Sequence, residues 1–176
     1  RLSLESMDCI GDGKFATIDE FAAQFYNGKS SWSVDAGYMQ MKRNNWVRDY
    51  DEIWHYPDHN VLRSEKGLPV NIGNLMFNSN INYQYSYNES NLFNARLSLN
   101  VNEVPNKEEG DRHSLLTTSD NDDITEIWEH TSEKSLLPSL TLHYRHIFEK
   151  SGTLSFNFEG SWLKSKSHHT YSEEMA

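Results

Sequence analysis

The stretch Asn74-Leu75-Met76-Phe77-Asn78-Ser79-Asn80-Ile81-Asn82-Tyr83-Gln84-Tyr85-Ser86-Tyr87-Asn88 decides the fold, because its side chains change character at almost every step. Odd positions carry Leu75, Phe77, Ser79, Ile81, Tyr83, Tyr85 and Tyr87; even ones carry Asn74, Met76, Asn78, Asn80, Asn82, Gln84, Ser86 and Asn88. A β-strand sends alternate side chains to opposite faces, so this segment reads as a strand with one apolar, aromatic face and one amide face. Beyond a turn at Asn88-Glu89-Ser90-Asn91 the pattern resumes: Phe93, Ala95, Leu97, Leu99 and Val101 alternate with Asn94, Arg96, Ser98, Asn100 and Asn102. Two such runs joined by a short turn make a hairpin, placed at about 69–103.

Working outward, a second hairpin is expected at about 138–166. Leu140, Leu142, Tyr144 and Phe148 precede Lys150-Ser151-Gly152, and Leu154, Phe156, Phe158 and Trp162 follow it, with His146 and Gly160 interrupting the face. A third, at about 14–43, turns at Asn27-Gly28-Lys29-Ser30 and continues through Trp32, Val34, Ala36 and Tyr38. Its first arm also fits an amphipathic helix, since Phe15, Ile18, Phe21, Ala22 and Phe25 fall at helical spacing.

The connections alternate between tight and long. Polar segments at about 44–68 and 104–137 separate the hairpins, the second containing Glu108-Glu109-Gly110-Asp111 and Asp120-Asn121-Asp122-Asp123. Compact domains seldom hold structureless loops of that length, whereas outer-membrane barrels combine tight periplasmic turns with long extracellular loops. Residues 1–13 then read as the end of one extracellular loop, 14–166 as barrel wall and 167–176 as the start of the next loop. Deleting part of Lys107 to Asp123 is expected to leave the barrel assembled while altering uptake or surface recognition, since loop length costs little stability. Rings flank each tight turn (Tyr26 and Trp32; Tyr85, Tyr87 and Phe93; Phe148 and Phe156), as suits a water–bilayer boundary. The fold expected is therefore all-β: an antiparallel up-and-down transmembrane β-barrel segment of about six strands in three hairpins. Six is fewer than the ~8 that close the smallest membrane barrels, so neighbouring strands are implied.

Composition agrees. Apolar residues make up 36% of the chain and aromatic ones 12%, and the mean hydropathy is −0.76. No run of ~18 apolar residues is present for a membrane-spanning helix, but a barrel strand faces lipid with only every second residue. The formal charge of −10 speaks against a nucleic-acid partner, which needs surplus Lys and Arg on one face. The single cysteine, Cys9, has no partner for an intrachain disulfide. The chain opens at Arg1 without a basic or apolar leader, so no signal peptide is read and a longer parent protein is expected.

The segments Leu68-Pro69-Val70-Asn71-Ile72-Gly73-Asn74-Leu75, Leu92-Phe93-Asn94-Ala95-Arg96-Leu97-Ser98-Leu99-Asn100 and Leu137-Pro138-Ser139-Leu140-Thr141-Leu142-His143-Tyr144-Arg145 resemble the barrel of Bacteroidetes TonB-dependent outer-membrane receptors. The likeness is one of strand texture and loop placement over most of residues 32 to 166, without a diagnostic motif. It implies a 22-stranded barrel in the bacterial outer membrane, in contact with lipid and holding a plug domain of the same receptor. It also implies a box that engages TonB and a nutrient ligand held by the loops. Neither plug nor box lies in this sequence, and no cofactor is implied.

Chemistry-bearing motifs are sparse. His55 and His59 have the i,i+4 spacing of a helical metal site, but Pro57 between them opposes a helix. His168-His169 lacks evident further ligands. Trp46, Tyr50, Trp54 and Tyr56 in the first long segment, with Trp128 and His130 in the second, are the candidate ligand contacts, because planar rings bind flat or sugar-like solutes at small entropic cost. No nucleophile elbow, phosphate loop or dinucleotide fingerprint occurs, so an enzyme is not expected. The competing readings are a soluble β-sandwich or lipocalin-like small-ligand binder, with the apolar face turned inward, and a passive porin or adhesive barrel.

Overall fold

The computed structural model describes residues 1–104, 112–150 and 152–175. They form one antiparallel sheet of eleven strands: β1 (Leu2–Gly11), β2 (Lys14–Asn27), β3 (Ser30–Trp46), β4 (Tyr50–His55), β5 (Asn60–Gly67), β6 (Val70–Asn88), β7 (Asn91–Val104), β8 (Arg112–Thr118), β9 (Asn121–Ile147), β10 (Thr153–Ser161) and β11 (Lys164–Met175). The hydrogen-bonded order is β1-β2-β3-β6-β7-β9-β8-β5-β4, with β10 and β11 also on β9. In four places two successive strands lie end to end along the same neighbouring row: β3 with β4, β5 with β6, β7 with β8, and β10 with β11. Eleven strands less these four joints leave seven rows, each hydrogen-bonded to the row before it in sequence. The sheet is an up-and-down meander, and it is not closed.

The period-two reading is realised in the register. Phe25, Trp32, Tyr83, Ala95, Leu142 and Phe158 stand side by side across the sheet, and the next tier on the same face is Ala23, Val34, Ile81, Leu97, Leu140 and Gly160. One residue along each strand, on the other face, lie Gln24, Ser33, Asn82, Arg96, Thr141 and Glu159, then Ala22, Asp35, Asn80, Ser98, Ser139 and Ser161. Cross-strand ring contacts knit the apolar face near the tight turns: Tyr83 lies 4.3 Å from Trp32 and 6.3 Å, edge-on, from Phe93. Such spacings suit aromatic pairs. The amide face is tied by hydrogen bonds instead. Asn80 donates to Asp35 at 2.7 Å and accepts from Arg96 and Ser98.

Among the described residues, nothing covers the apolar face. Phe25, Leu97, Phe156 and Trp162 remain 63%, 49%, 57% and 61% exposed. The accessible surface is 12712 Å² for a 20.5 kDa chain, where a folded globule of that mass exposes about 8,900 Å². Of the buried residues, Ala23 and Thr17 lie on β2, and Val61, Glu65, Val70, Ser114 and Ile127 cluster at the long-turn end of the sheet.

Several expectations require correction. The strand count is eleven in seven rows, against about six. The segment 44–68 is largely strand, β4 and β5 closing on Tyr56-Pro57-Asp58-His59; from 104–137, residues 112–118 are β8 and 121 onward is β9. Residues 1–13 hold β1 and its turn, and 167–175 belong to β11. In these extensions apolar and polar residues are mixed on both faces, so the backbone pairs while hydropathy alternation disappears. The helical alternative for Phe15 to Tyr26 gives way to β2, whose every residue pairs with β3. The acidic run Glu108 to Asp111 lies outside the described residues.

The turns follow their residues. Asp12 and Gly13 both have positive φ (47° and 72°), the conformation of a type I′ hairpin, which Asp-Gly favours. At Gly67 a Cβ would stand 2.2 Å from the Arg48 carbonyl oxygen, so glycine is what lets β5 pass the β3–β4 joint. Asp49 secures that crossing by accepting from the Gly67 amide at 3.0 Å.

Candidate functional site

The polar face carries its densest chemistry where the sheet extends beyond the apolar band. Odd residues of β9 run along this face from Thr141 and Ser139 to Glu129 and Ile127, and the register sets Arg112 beside Glu129 and Ser114 beside Ile127. Glu65 of β5 pairs with Leu116 on one side and Tyr50 on the other. Strand alternation thus brings Tyr50, Arg63, Glu65, Arg112, Ser114 and Glu129 onto one face.

Glu65 is the centre. It is buried at 6% exposure, and Arg63 Nη2 donates to its Oε1 at 2.8 Å. Arg112 Nη1 is 4.0 Å from Oε2 and Ser114 Oγ is 3.5 Å from the same atom. A buried carboxylate persists only when its charge is matched and its lone pairs are filled, which is what these groups do. The chain of charge continues: Arg112 Nε lies 3.2 Å from Glu129 Oε2, and His169 Nε2 lies 3.0 Å from Glu129 Oε1. The Arg112 contact satisfies the ion-pair distance without hydrogen-bond geometry, so that Nε and the Nε of Arg63 are both buried without a hydrogen-bond acceptor. Rings support the guanidinium groups, Arg63 over Trp54 at 5.5 Å and Arg48 over Tyr50 at 5.8 Å, an arrangement that favours arginine over lysine. Nearby, Tyr171 donates to Glu173 at 3.1 Å. Burial, and then that carboxylate, raise the Tyr171 phenol above its ordinary pKa against the opposing pull of Arg112 and Arg63, so it stays a neutral donor.

Arg48, Tyr50, Arg63, Glu65 and Arg112 line a cleft of about 290 Å³. A second depression of about 350 Å³ lies further along among Gln24, Ser33, Asn82, Asn94, Arg96 and His143.

The six rings expected to contact a ligand do not converge. Tyr50 and Trp54 share a face on β4 and belong to this cleft's surroundings. Trp46 ends β3 opposite Val70. Tyr56 stacks on His59 at 5.0 Å in the β4–β5 turn. Trp128 and His130 take even positions of β9 and so point to the opposite face, where Trp128 meets His113 edge-on at 4.9 Å and His130 lies 6.5 Å from His168. The histidines of the i,i+4 pair take separate partners, His55 contacting Asn60 and His59 contacting Asp58. Arg63, Glu65, Arg112 and Glu129 went unread in the sequence because their strands were read as loops. A usable signal is the Pro57-Asp58 turn set between Ile53-Trp54 and Val61-Leu62, the two arms of the β4–β5 hairpin. Comparison of the chain with protein-family models and with curated proteins finds no match.

Proposed function

We propose that this chain forms part of the wall of a bacterial outer-membrane β-barrel, in a TonB-dependent transport receptor that binds and imports a nutrient or chelate. The observation that carries the proposal is the uncovered apolar band. From Phe93 to Val101 on β7 and from Leu136 to Tyr144 on β9 it is about nine residues tall, against the ~9–11 a tilted strand uses to cross a bilayer. Lipid acyl chains would cover it, aromatic rings would mark its edge at the tight turns, and the amide face would line a wet lumen. The strand extensions then stand outside the membrane at the long-turn end, where solute arrives. Seven rows fall short of the ~8 of the smallest barrels, and β1 and β10–β11 each present an unpaired edge, so further strands complete the wall. The soluble sandwich reading would need a second sheet over the exposed face.

Two arms test the proposal. The chain should float with lipid vesicles and aggregate in detergent-free buffer; a monodisperse folded monomer without detergent would remove the membrane reading. Solute uptake by cells carrying the receptor should stop when TonB is deleted, whereas uptake that persists would make the barrel a passive porin.

A further inference from the structure

We infer that the cleft between the β4–β5 hairpin and β8 binds an anionic solute through a carboxylate or phosphate group. Of its five lining residues three are arginines, Arg48, Arg63 and Arg112, and one is a carboxylate, Glu65. In a chain of formal charge −10 this is a local reversal of sign. Glu52, the register partner of Arg63, and Glu129 flank the cleft without lining it.

Three features make it a built site. Glu65 is buried and holds Arg63 at 2.8 Å, so that guanidinium is fixed before any ligand arrives. Pre-ordered donors spare an incoming anion the entropy of organising them. The rings of Trp54 and Tyr50 lie 5.5 and 5.8 Å from the guanidinium carbons of Arg63 and Arg48, contacts that restrain side chains whose planar forks suit an oxyanion. The Nε of Arg63, buried without an acceptor, leaves hydrogen-bonding capacity unused beside the cleft, while Arg112 Nε faces Glu129 Oε2 at 3.2 Å. A volume of about 290 Å³ admits a small dicarboxylate or a phosphate and the first atoms of what it is attached to. The inference deepens the transport reading and rests on it for the cleft's access to solute.

The test uses the whole barrel that contains this segment, folded in detergent micelles, with titration calorimetry and Trp fluorescence. Succinate and inorganic phosphate are the probes, at ionic strength held constant with chloride. Saturable binding of at least one is expected, and the stronger of the two names the group recognised. Arg63→Gln and Arg112→Gln should each weaken it about tenfold or more, the loss of a charge-assisted contact. Arg48→Gln, which leaves the Glu65 pairing intact, should weaken binding without altering the circular-dichroism spectrum. Absence of saturable binding by a folded chain, or equal binding by all three variants, would overturn the inference. Binding by a chain that proves soluble and vesicle-free would retain the cleft and remove the transport reading, so the two failures are distinct.

Discussion

At the scale of single residues, neighbouring positions on one strand should behave as though in different solvents. Leu97 lies on the apolar face, half exposed in the bare sheet, while Ser98 points the other way and donates to Asn80. Leu97→Lys should cost ~2–4 kcal/mol in folding measured in lipid, the penalty for a charge on a barrel exterior near mid-bilayer. Ser98→Lys should stay within about 0.5 kcal/mol, as surface changes do. Equal small costs at both positions would put water on both faces. Glu65 offers the opposite kind of test. Glu65→Ala strands Arg63 and Arg112 beside a buried gap and should destabilise by ~3 kcal/mol, whereas Glu65→Gln keeps the shape and should cost less. An Ala variant as stable as the parent would mean that the pairing is incidental.

At the scale of elements, what could be read in advance depended on whether the two faces differ in hydropathy. β6 and β7, with Tyr, Phe and Leu against Asn, Ser and Arg, are legible as written. β5, β8 and the first half of β9 are not, since Lys66, His113, His130 and Ser132 occupy the face that Leu and Phe hold lower down, opposite Glu65, Arg112, Glu129 and Thr131. Their partners are charges supplied by other strands, and a single-strand pattern cannot display a pairing that exists only in the sheet. For β1 the missed signal was local: Asp12-Gly13 is a hairpin turn, yet Leu2, Leu4, Ser6 and Asp8 do not sustain an apolar face. The same reasoning revises the deletion experiment. Val104 pairs with Glu133 and Arg112 with Glu129, so seven residues (105–111) span a step that three (130–132) span on β9. Deleting four residues of 105–111 should leave assembly intact, read as heat-resistant migration on a gel. Removing Arg112 to Asp123 takes out β8, with buried Ser114 and the Arg112 contacts, and should abolish it. If both deletions assemble equally well, β8 is not part of the folded wall.

At the scale of the whole molecule, the sheet formed by the described residues has two dissimilar faces, no closed core and two unpaired edges, so it is stable only if something else covers it. Lipid on the apolar face and further strands at the edges meet both needs with the same surroundings. A second protein layer would meet the first need by excluding lipid and water alike. The measurement that separates these is residue-by-residue accessibility across Phe93 to Val101. Single cysteines, introduced after Cys9→Ser and spin-labelled, are read in vesicles by collision with oxygen, which dissolves in lipid, and with a water-soluble nickel reagent. The account predicts that labels at 93, 95, 97, 99 and 101 collide with oxygen and those at 94, 96, 98 and 100 with nickel, alternating at every step. Odd-position labels shielded from both reagents would contradict it, because the apolar face would then lie against protein.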